Sequence, residues 1–471
     1  MKKLLLAVVL PAISLSLSAQ VYLDLDSCRS LAIANNKNLL IGNEKITAAH
    51  HERKAAATNY LPKISATGAY MRNQKEFSLL NDEQKSTLSN MGTILGNSPE
   101  LAPLLNNLID PLNGIGSALV EGLRTDTRNV YAGAITLTQP IYMGGKIRAY
   151  NKITKYAEEL AHQQHNAELQ EVILETDQAY WQVVSLVNKK KMAESYLQLL
   201  QKMDSDINKM IAEGVATKSD GLSVRVKLNE AEMTVTKVDD GLSLSRMLLC
   251  QLCGLNLSTP ISLADESIEE LPISSANSAF NIETVFASRP EVRALQLGQE
   301  IYKQKINVTR ADHLPTVALM GNYIVSNPSM FNSFENKFRG MWNVGIMVQI
   351  PVWSWGEGTH KVKAAKAEAR IARYNLEDAK EKIELQVNQA AFKVNEAAKK
   401  LVMATKNMEK AEENLRYANL GFREGVIATS NVLEAQTVWL SAHAEKIDAQ
   451  IDVKLTEAYL KKSLGQLHTN E

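Results

Sequence analysis

Cysteine is scarce in this sequence: Cys28, Cys250 and Cys253 are three residues in 471. That is too few for a disulfide scaffold, so a chain of this length must find stability elsewhere. An excess of either charge is also missing, because 52 Lys and Arg balance 52 Asp and Glu. Without a basic field, no nucleic-acid partner is expected. Beyond residue 20 no run is long and apolar enough for a transmembrane helix, which needs ~20 residues. If the protein enters a membrane, it does so by another route. No Gly-rich phosphate loop, Ser/His/Asp set or carboxylate pair in a plausible cleft stands out, so neither an enzyme nor a bound cofactor is expected. Hydrophobic content is 45%, and the length would allow two or three ordinary domains.

What is present begins with Met1-Lys2-Lys3, the apolar run Leu4 to Ile13 and small residues to Ala19. This reads as a secretory signal peptide over 1–19. Asp24 and Asp26 precede Cys28, which argues against lipid attachment there.

The most regular stretch lies near the other end. Val387, Ala390, Val394, Ala397, Leu401, Ala404, Met408, Ala411, Leu415, Ala418 and Phe422 recur in steps of three and four, a coiled-coil seam. One seam position is always Ala, which lets a partner helix approach closely. After Arg423-Glu424-Gly425 a second helix heads back, giving a long antiparallel hairpin.

That hairpin occurs twice. Residues 212–222 align with 423–433, an offset of 211. The earlier seam is less regular, with Ala179, Val183, Leu186, Ala193, Leu197, Leu200, Ile207 and Ile211 interrupted by Thr176, Lys190 and Asp204. The strands are duplicated too: a Leu-Pro start at Leu61-Pro62 and at Leu314-Pro315, then alternation. Each half has a second strand, ending in Gln139-Pro140-Ile141-Tyr142-Met143-Gly144-Gly145 or in Ile350-Pro351-Val352-Trp353-Ser354-Trp355-Gly356. Expected strands are at about 61–73, 129–142, 314–326 and 342–353, with hairpins at about 146–254 and 357–464. A single first helix is expected over 25–59.

Spacing carries the strongest inference. Gly145 to Gly214 and Gly356 to Gly425 are both 69 residues. Helices so matched form shared walls, rods of roughly 100 Å at ~1.5 Å per residue. From the strand-opening Leu to the hinge Gly is 84 residues in the first half and 42 in the second. The difference lies in the segment from about 74 to 128, read as a long surface loop.

Four strands cannot close a barrel, and an open sheet with an apolar face and free edges invites aggregation. Strands of ~10 residues with aromatics near their ends are what an outer-membrane barrel uses. Chains that pool their strands into one barrel satisfy both constraints. An ordinary soluble sheet packed on helices is the other reading.

As an ordered set these features resemble the TolC-type outer-membrane efflux proteins. The resemblance rests on Leu31-Ala32-Ile33-Ala34-Asn35-Asn36-Lys37-Asn38-Leu39, the Leu-Pro strands, the Gln-Pro-Ile-Tyr-Met-Gly-Gly hinge and the two turn motifs. It covers essentially all of the mature chain. It implies a mainly α fold with a membrane β-barrel: two repeats per chain, a homotrimer with twelve strands in one barrel, and a periplasmic α-helical coiled-coil tube. It also implies an outer membrane of a Gram-negative bacterium, a periplasmic adaptor (membrane fusion) protein and an inner-membrane RND or ABC transporter. The repeats would span 20–254 and 281–464, with a linker at 255–280 forming an equatorial collar beside a tail at 465–471.

Carried over by position, the adaptor-docking and turn residues are Gly214, Ser219, Asp220 and Leu222, and Gly425, Ser430, Asn431 and Leu433. Ser219 or Asp220 could equally serve only to cap the returning helix. The periplasmic gate would involve Phe422, Ile427 and Glu434, with packing around the first two in place of a polar latch and a cation-attracting ring of Glu434. Pro140, Gly144, Gly145, Pro351 and Gly356 would be barrel-to-tube hinges. The alternative function is a non-channel periplasmic scaffold or adaptor. Cys250 and Cys253 read as core packing, and His162 and His165 as solvated or groove-facing, since no third metal ligand accompanies them.

Overall fold

The structure, a computed structural model, describes residues 21–74, 76–78, 80–98, 107–267, 280–331 and 335–467. The expected signal peptide, much of the linker and the end of the tail lie outside the described residues. In chain order the elements begin with β1 (Val21–Leu23), α1 (Leu25–Asn35), α2 (Lys37–Ala57), β2 (Lys63–Arg72) and β3 (Phe77–Ser78). Then come α3 (Asp82–Ser89), α4 (Met91–Gly96), α5 (Ile109–Gly122), β4 (Arg124–Thr125), β5 (Asn129–Met143), α6 (Lys146–Ala212) and α7 (Lys218–Leu252). The second half holds β6 (Ile261–Leu263), α8 (Ile282–Ser288), α9 (Pro290–Ala311), β7 (Thr316–Asn327), β8 (Arg339–Gln349), α10 (Glu357–Arg423) and α11 (Thr429–Ser463).

Two compact units cut across the repeats instead of separating them. One comprises Met1–His51, Lys155–Ile301 and Ala369–Glu471; the other comprises Glu52–Thr154 and Tyr302–Glu368.

The second unit contains an antiparallel sheet in the order β2-β5-β7-β8. Its register aligns Ser65, Thr136, Asn322 and Asn343 in one row and Ala66, Ile135, Tyr323 and Trp342 in the next. Because side chains alternate, one face is therefore polar or small and the other apolar. Strand β8 ends at Gln349, short of the expected 353, because Pro351 has no N–H to continue a ladder. In β5 the register shifts between Pro140 and Tyr142, and the chain then turns through Gly144 (φ +61°) and Gly145 (φ +84°). A Cβ on Gly144 would stand 2.8 Å from the Ala311 carbonyl oxygen, so glycine is needed there for space as well as for φ. The corresponding turn in the second half uses Trp355 (φ +52°) and Gly356 (φ +80°). A non-glycine residue in that region costs about 1–2 kcal/mol.

The segment from 74 to 128 departs from the expected loop. It folds into α3, α4 and α5, with the Asn113 Oδ1 accepting from the Gly92 and Thr93 N–H groups at 2.8 and 3.2 Å. At its base Arg124 donates twice to Glu76, at 2.8 and 3.0 Å.

In the helical unit the matched spacing becomes matched helices. Those entering the turns, α6 and α10, have 67 residues each, and those returning, α7 and α11, have 35 each. The α10 seam is buried at every expected position except Met408 and Phe422, which are half-buried. The interruptions of the α6 seam have local explanations. Thr176 is fully buried and its hydroxyl donates to the Val172 carbonyl at 2.7 Å. Lys190 pairs with Asp239 at 2.5 Å, and Asp204 accepts from Asn208 at 2.9 Å.

The expected single helix over 25–59 is broken at Asn36, whose backbone is extended (ψ +126°) and whose side-chain oxygen accepts from the Asn38 N–H at 2.8 Å. That local bond offers the chain an alternative to the continuous helix. Helix α1 is fixed by a bidentate pair: Arg29 donates to both oxygens of Asp177 at 2.7 and 2.8 Å, and Asp177 is 1% exposed. Burial pushes the Asp177 carboxyl up while Arg29 pulls it down. Beside them Cys28, Cys250 and Cys253 are buried and unbridged in a core with Tyr180, Val183 and Leu249. In the expected linker, β6 pairs in parallel with β1, Val21 against Ile261 through Leu23 against Leu263.

Candidate functional site

Two features carry the candidate chemistry: the paired helix turns in one unit and the one-sided sheet in the other. Helix α6 ends in a left-handed glycine, Gly214 (φ +73°), with the Val215 N–H donating to the Met210 carbonyl at 2.8 Å. Helix α10 ends the same way, at Gly425 (φ +77°), with the Val426 N–H donating to the Gly421 carbonyl at 2.8 Å. Both are glycine-terminated caps that satisfy the last carbonyls of a helix.

The restarts differ. Thr217 is the N-cap of α7, and its hydroxyl and the Asp220 side chain form a reciprocal capping box. The expected caps, Ser219 and Asp220, are thus replaced by Thr217 with Asp220 as its partner. The Thr217 hydroxyl and backbone N–H hold the Asp220 carboxyl below its ordinary value of 3.8, with a smaller contribution from Thr429. The N-cap of α11 is Ala428, which offers no side-chain cap.

Beneath the turns lies a cluster built from Tyr196, Leu200, Ile207, Val224, Leu415 and Val432, among others. Leu433 is buried in it, whereas Leu222 is 62% exposed. Phe422 and Ile427 are half-buried against this cluster. Ile427 folds back so closely that a Cβ on Gly421 would lie 2.6 Å from its Cδ1. Ser219, Ser430, Asn431 and Glu434 are exposed. Thr217 and the buried Thr429 are contributors that the positional carry-over missed. The signal for the first was legible, a Thr three residues before an Asp at a helix start.

On the sheet, Ile64, Ile135, Tyr323, Trp342, Val344, Ile346 and Val348 all belong to the apolar face, and each is 48% exposed or more. Every residue of both edge strands, β2 and β8, is exposed. Trp342 and Trp353 bracket the apolar face. The 11 residues of β8, at ~3.3 Å each and at the ~40° tilt such barrels use, would span about 28 Å, close to the ~25 Å band of an outer-membrane barrel. The polar face carries the Asn322–Asn343 hydrogen bond of 2.9 Å. At its hinge end is a cavity of about 590 Å³ lined by Lys63, Thr138, Pro140, Met143, Met347 and Gln349, among others.

Among the described residues, no group of three His, Cys, Asp or Glu could hold a metal ion. His165 lies against α2, where a Cβ on Gly42 would meet its Nδ1 at 2.6 Å. Among the described residues, no helix is long and apolar enough to cross a membrane.

The sequence profile of a family described as outer membrane efflux protein matches residues 28–255 and 281–466. The chain belongs to the outer membrane efflux protein family. Its similarity to individual known proteins is distant. It is 21% identical to the alkaline protease secretion protein AprF of Pseudomonas aeruginosa over 264 residues, 55% of this chain and 53% of AprF. It is 22% identical to protein CyaE of Bordetella pertussis over 335 residues, 71% of this chain and 70% of CyaE. The first of these matches therefore spans only about half of the relative's length. Among solved structures, the outer membrane channel CmeC of Campylobacter jejuni superposes with a TM-score of 0.74 at 16% identity, covering 95% of this chain and 87% of CmeC. Membership of the outer membrane efflux proteins places the chain in the outer membrane. Family and fold alike are those of channels, not of enzymes.

Proposed function

We propose that the protein is the exit duct of a tripartite efflux or type I secretion system, passing substrates from an inner-membrane RND or ABC transporter and a periplasmic adaptor to the exterior. The observation that carries this is the exposed apolar face on a four-stranded sheet with two unpaired edges. Burying such a face in lipid and joining β2 of one chain to β8 of the next removes both the hydrophobic exposure and the edges. Three chains give twelve strands around a polar lumen. Exposed apolar residues on the long helices, including Leu222, Val226 and Met233 on α7 and Leu385, Phe392 and Met403 on α10, supply helical surface for neighbouring copies.

The two turns form the periplasmic mouth. Gly214, Ser219, Leu222, Gly425, Ser430 and Asn431 are exposed there and available to an adaptor, while Asp220 and Leu433 shape the turns from within. Phe422 and Ile427 close the mouth by packing, and Glu434 rings it with negative charge. Pro140, Gly144, Gly145, Pro351 and Gly356 redirect each strand into its long helix.

The test is the mass of the folded protein extracted from the outer membrane in mild detergent. A trimer that resists dissociation until heated is expected. A monomer in the soluble periplasm would remove the barrel and favour the scaffold reading.

A further inference from the structure

Where β8 gives way to α10, a cavity of about 610 Å³ is lined by Arg310, His313, Trp353, Lys363 and Lys366, together with Pro351 and Val352. Among the described residues no carboxylate lines it. The two nearest in sequence are already engaged, Asp312 by Lys146 at 2.7 Å and Glu357 by Lys361 at 2.5 Å. Arg310, Lys363 and Lys366 form no ion pair among the described residues. The His313 Nε2 is buried without a hydrogen-bond partner. Its ring lies so close to α10 that a Cβ on Gly358 would stand 2.8 Å from it.

Two tryptophans stand beside this cationic cavity. Trp353 and Trp355 are 75% and 87% exposed and pack edge to face at 5.8 Å. Trp355 occupies the left-handed conformation that the first repeat assigns to Gly144. A large, strained and exposed aromatic residue gains nothing from the protein interior, and strain of this kind gathers at functional positions. Unpaired cations, an unsatisfied imidazole and exposed indoles together describe a receptor for an anion at a membrane interface.

We propose that this cavity binds the phosphate of an anionic phospholipid headgroup in the periplasmic leaflet of the outer membrane. Arg310, Lys363 and Lys366 neutralise the phosphate, the His313 Nε2 supplies a hydrogen bond, and the tryptophan pair rests at headgroup level. This rests on the barrel reading above, which sets the end of β8 at the periplasmic edge of the apolar band.

Native mass spectrometry of the detergent-extracted protein, offered phosphatidylglycerol, phosphatidylcholine or inorganic phosphate, tests it. The wild type should retain phosphatidylglycerol over phosphatidylcholine. Combining Arg310→Gln, Lys363→Gln and Lys366→Gln should weaken that retention about a hundredfold, at about fivefold per charge. Trp355→Gly relieves backbone strain, so it should weaken retention without unfolding the chain. Equal retention by wild type and triple variant would overturn the site. Displacement of the lipid by millimolar phosphate would overturn the lipid assignment in favour of a soluble anion. Loss of the oligomer with lipid retention intact would make the face a subunit contact instead. Outer-membrane fractionation and heat resistance of each variant report separately on the barrel, so failure there is distinguishable from failure here.

Discussion

The two repeats agree in their rods and disagree at their ends. Helices of 67 and 35 residues recur without a residue gained or lost, yet the strand-to-helix turns, the tips and the outer segments all differ. Length is common property: helices that wall one tube must reach the same level, so an insertion in one would misplace both. A turn is private, and each copy can change its own.

The largest expected contrast lies within the long entering helices. Asp177 of α6 is buried against Arg29, whereas the position 211 residues on, Asn388 of α10, is exposed. Asp177→Ala leaves a nearly buried guanidinium without its main partner and should cost about 3 kcal/mol. Asn388→Ala should stay within about 0.5 kcal/mol. Thermal melts of the helical signal in detergent compare the two, and equal shifts would mean the Arg29 pair contributes little.

Next come the strand-to-helix turns. Gly144→Ala meets a positive φ and the Ala311 carbonyl at once, and a loss of about 2–3 kcal/mol is expected. Trp355→Gly at the matching position should be neutral or stabilising. The same melts decide it. A destabilised Trp355→Gly would show that the indole packs on something the isolated chain does not contain.

The tips come third. Thr217→Ala removes a capping box and should cost about 1 kcal/mol, while Ala428→Ser, which supplies the missing cap, should gain a similar or smaller amount. In hydrogen exchange, the first amides of α11 should exchange faster than those of α7, and Ala428→Ser should narrow the gap. The capping box also has a pH signature. The folded-state value of Asp220 is depressed, so its contribution is complete above the ordinary 3.8 and is lost as the pH falls through the depressed value. The α7 end should loosen only in that acidic window, and the α11 end should show no such change.

How much of this was legible in the sequence follows the range of the interactions. The α10 seam was readable because a three-four repeat records burial directly, and the strands because alternation does the same with period two. The break at Asn36 was hidden by apolar residues that continue on both sides. Arg29 and Asp177 are 148 residues apart, and nothing local in either marks the other as its partner. The helices between 82 and 122 pack through glycines such as Gly92 and Gly116, whose close contacts leave no periodic trace. At the tips, position suggested Ser219 and Asp220 as caps, while the hydroxyl that does the capping belongs to Thr217, two residues earlier than the first of these. Oligomer number is the least legible property, because an exposed edge calls for a partner without counting them.

The smallest effect, and the one closest to transport, concerns Glu434. It is exposed one turn into the uncapped helix, and the matching position of the capped tip, 211 residues earlier, is Ser223. At this pair of matched positions only the second repeat carries a carboxylate. Glu434→Gln should weaken block of the reconstituted pore by polyvalent cations several-fold, while leaving fold and oligomer unchanged, because an exposed carboxylate contributes little to stability. Ser223→Glu should strengthen the block if both turns line the same opening. Unchanged block in the first variant would remove the acidic ring and leave closure to Phe422 and Ile427 alone. Strengthening in the second without weakening in the first would place the mouth at the capped tip, and the asymmetry between repeats would then run the other way.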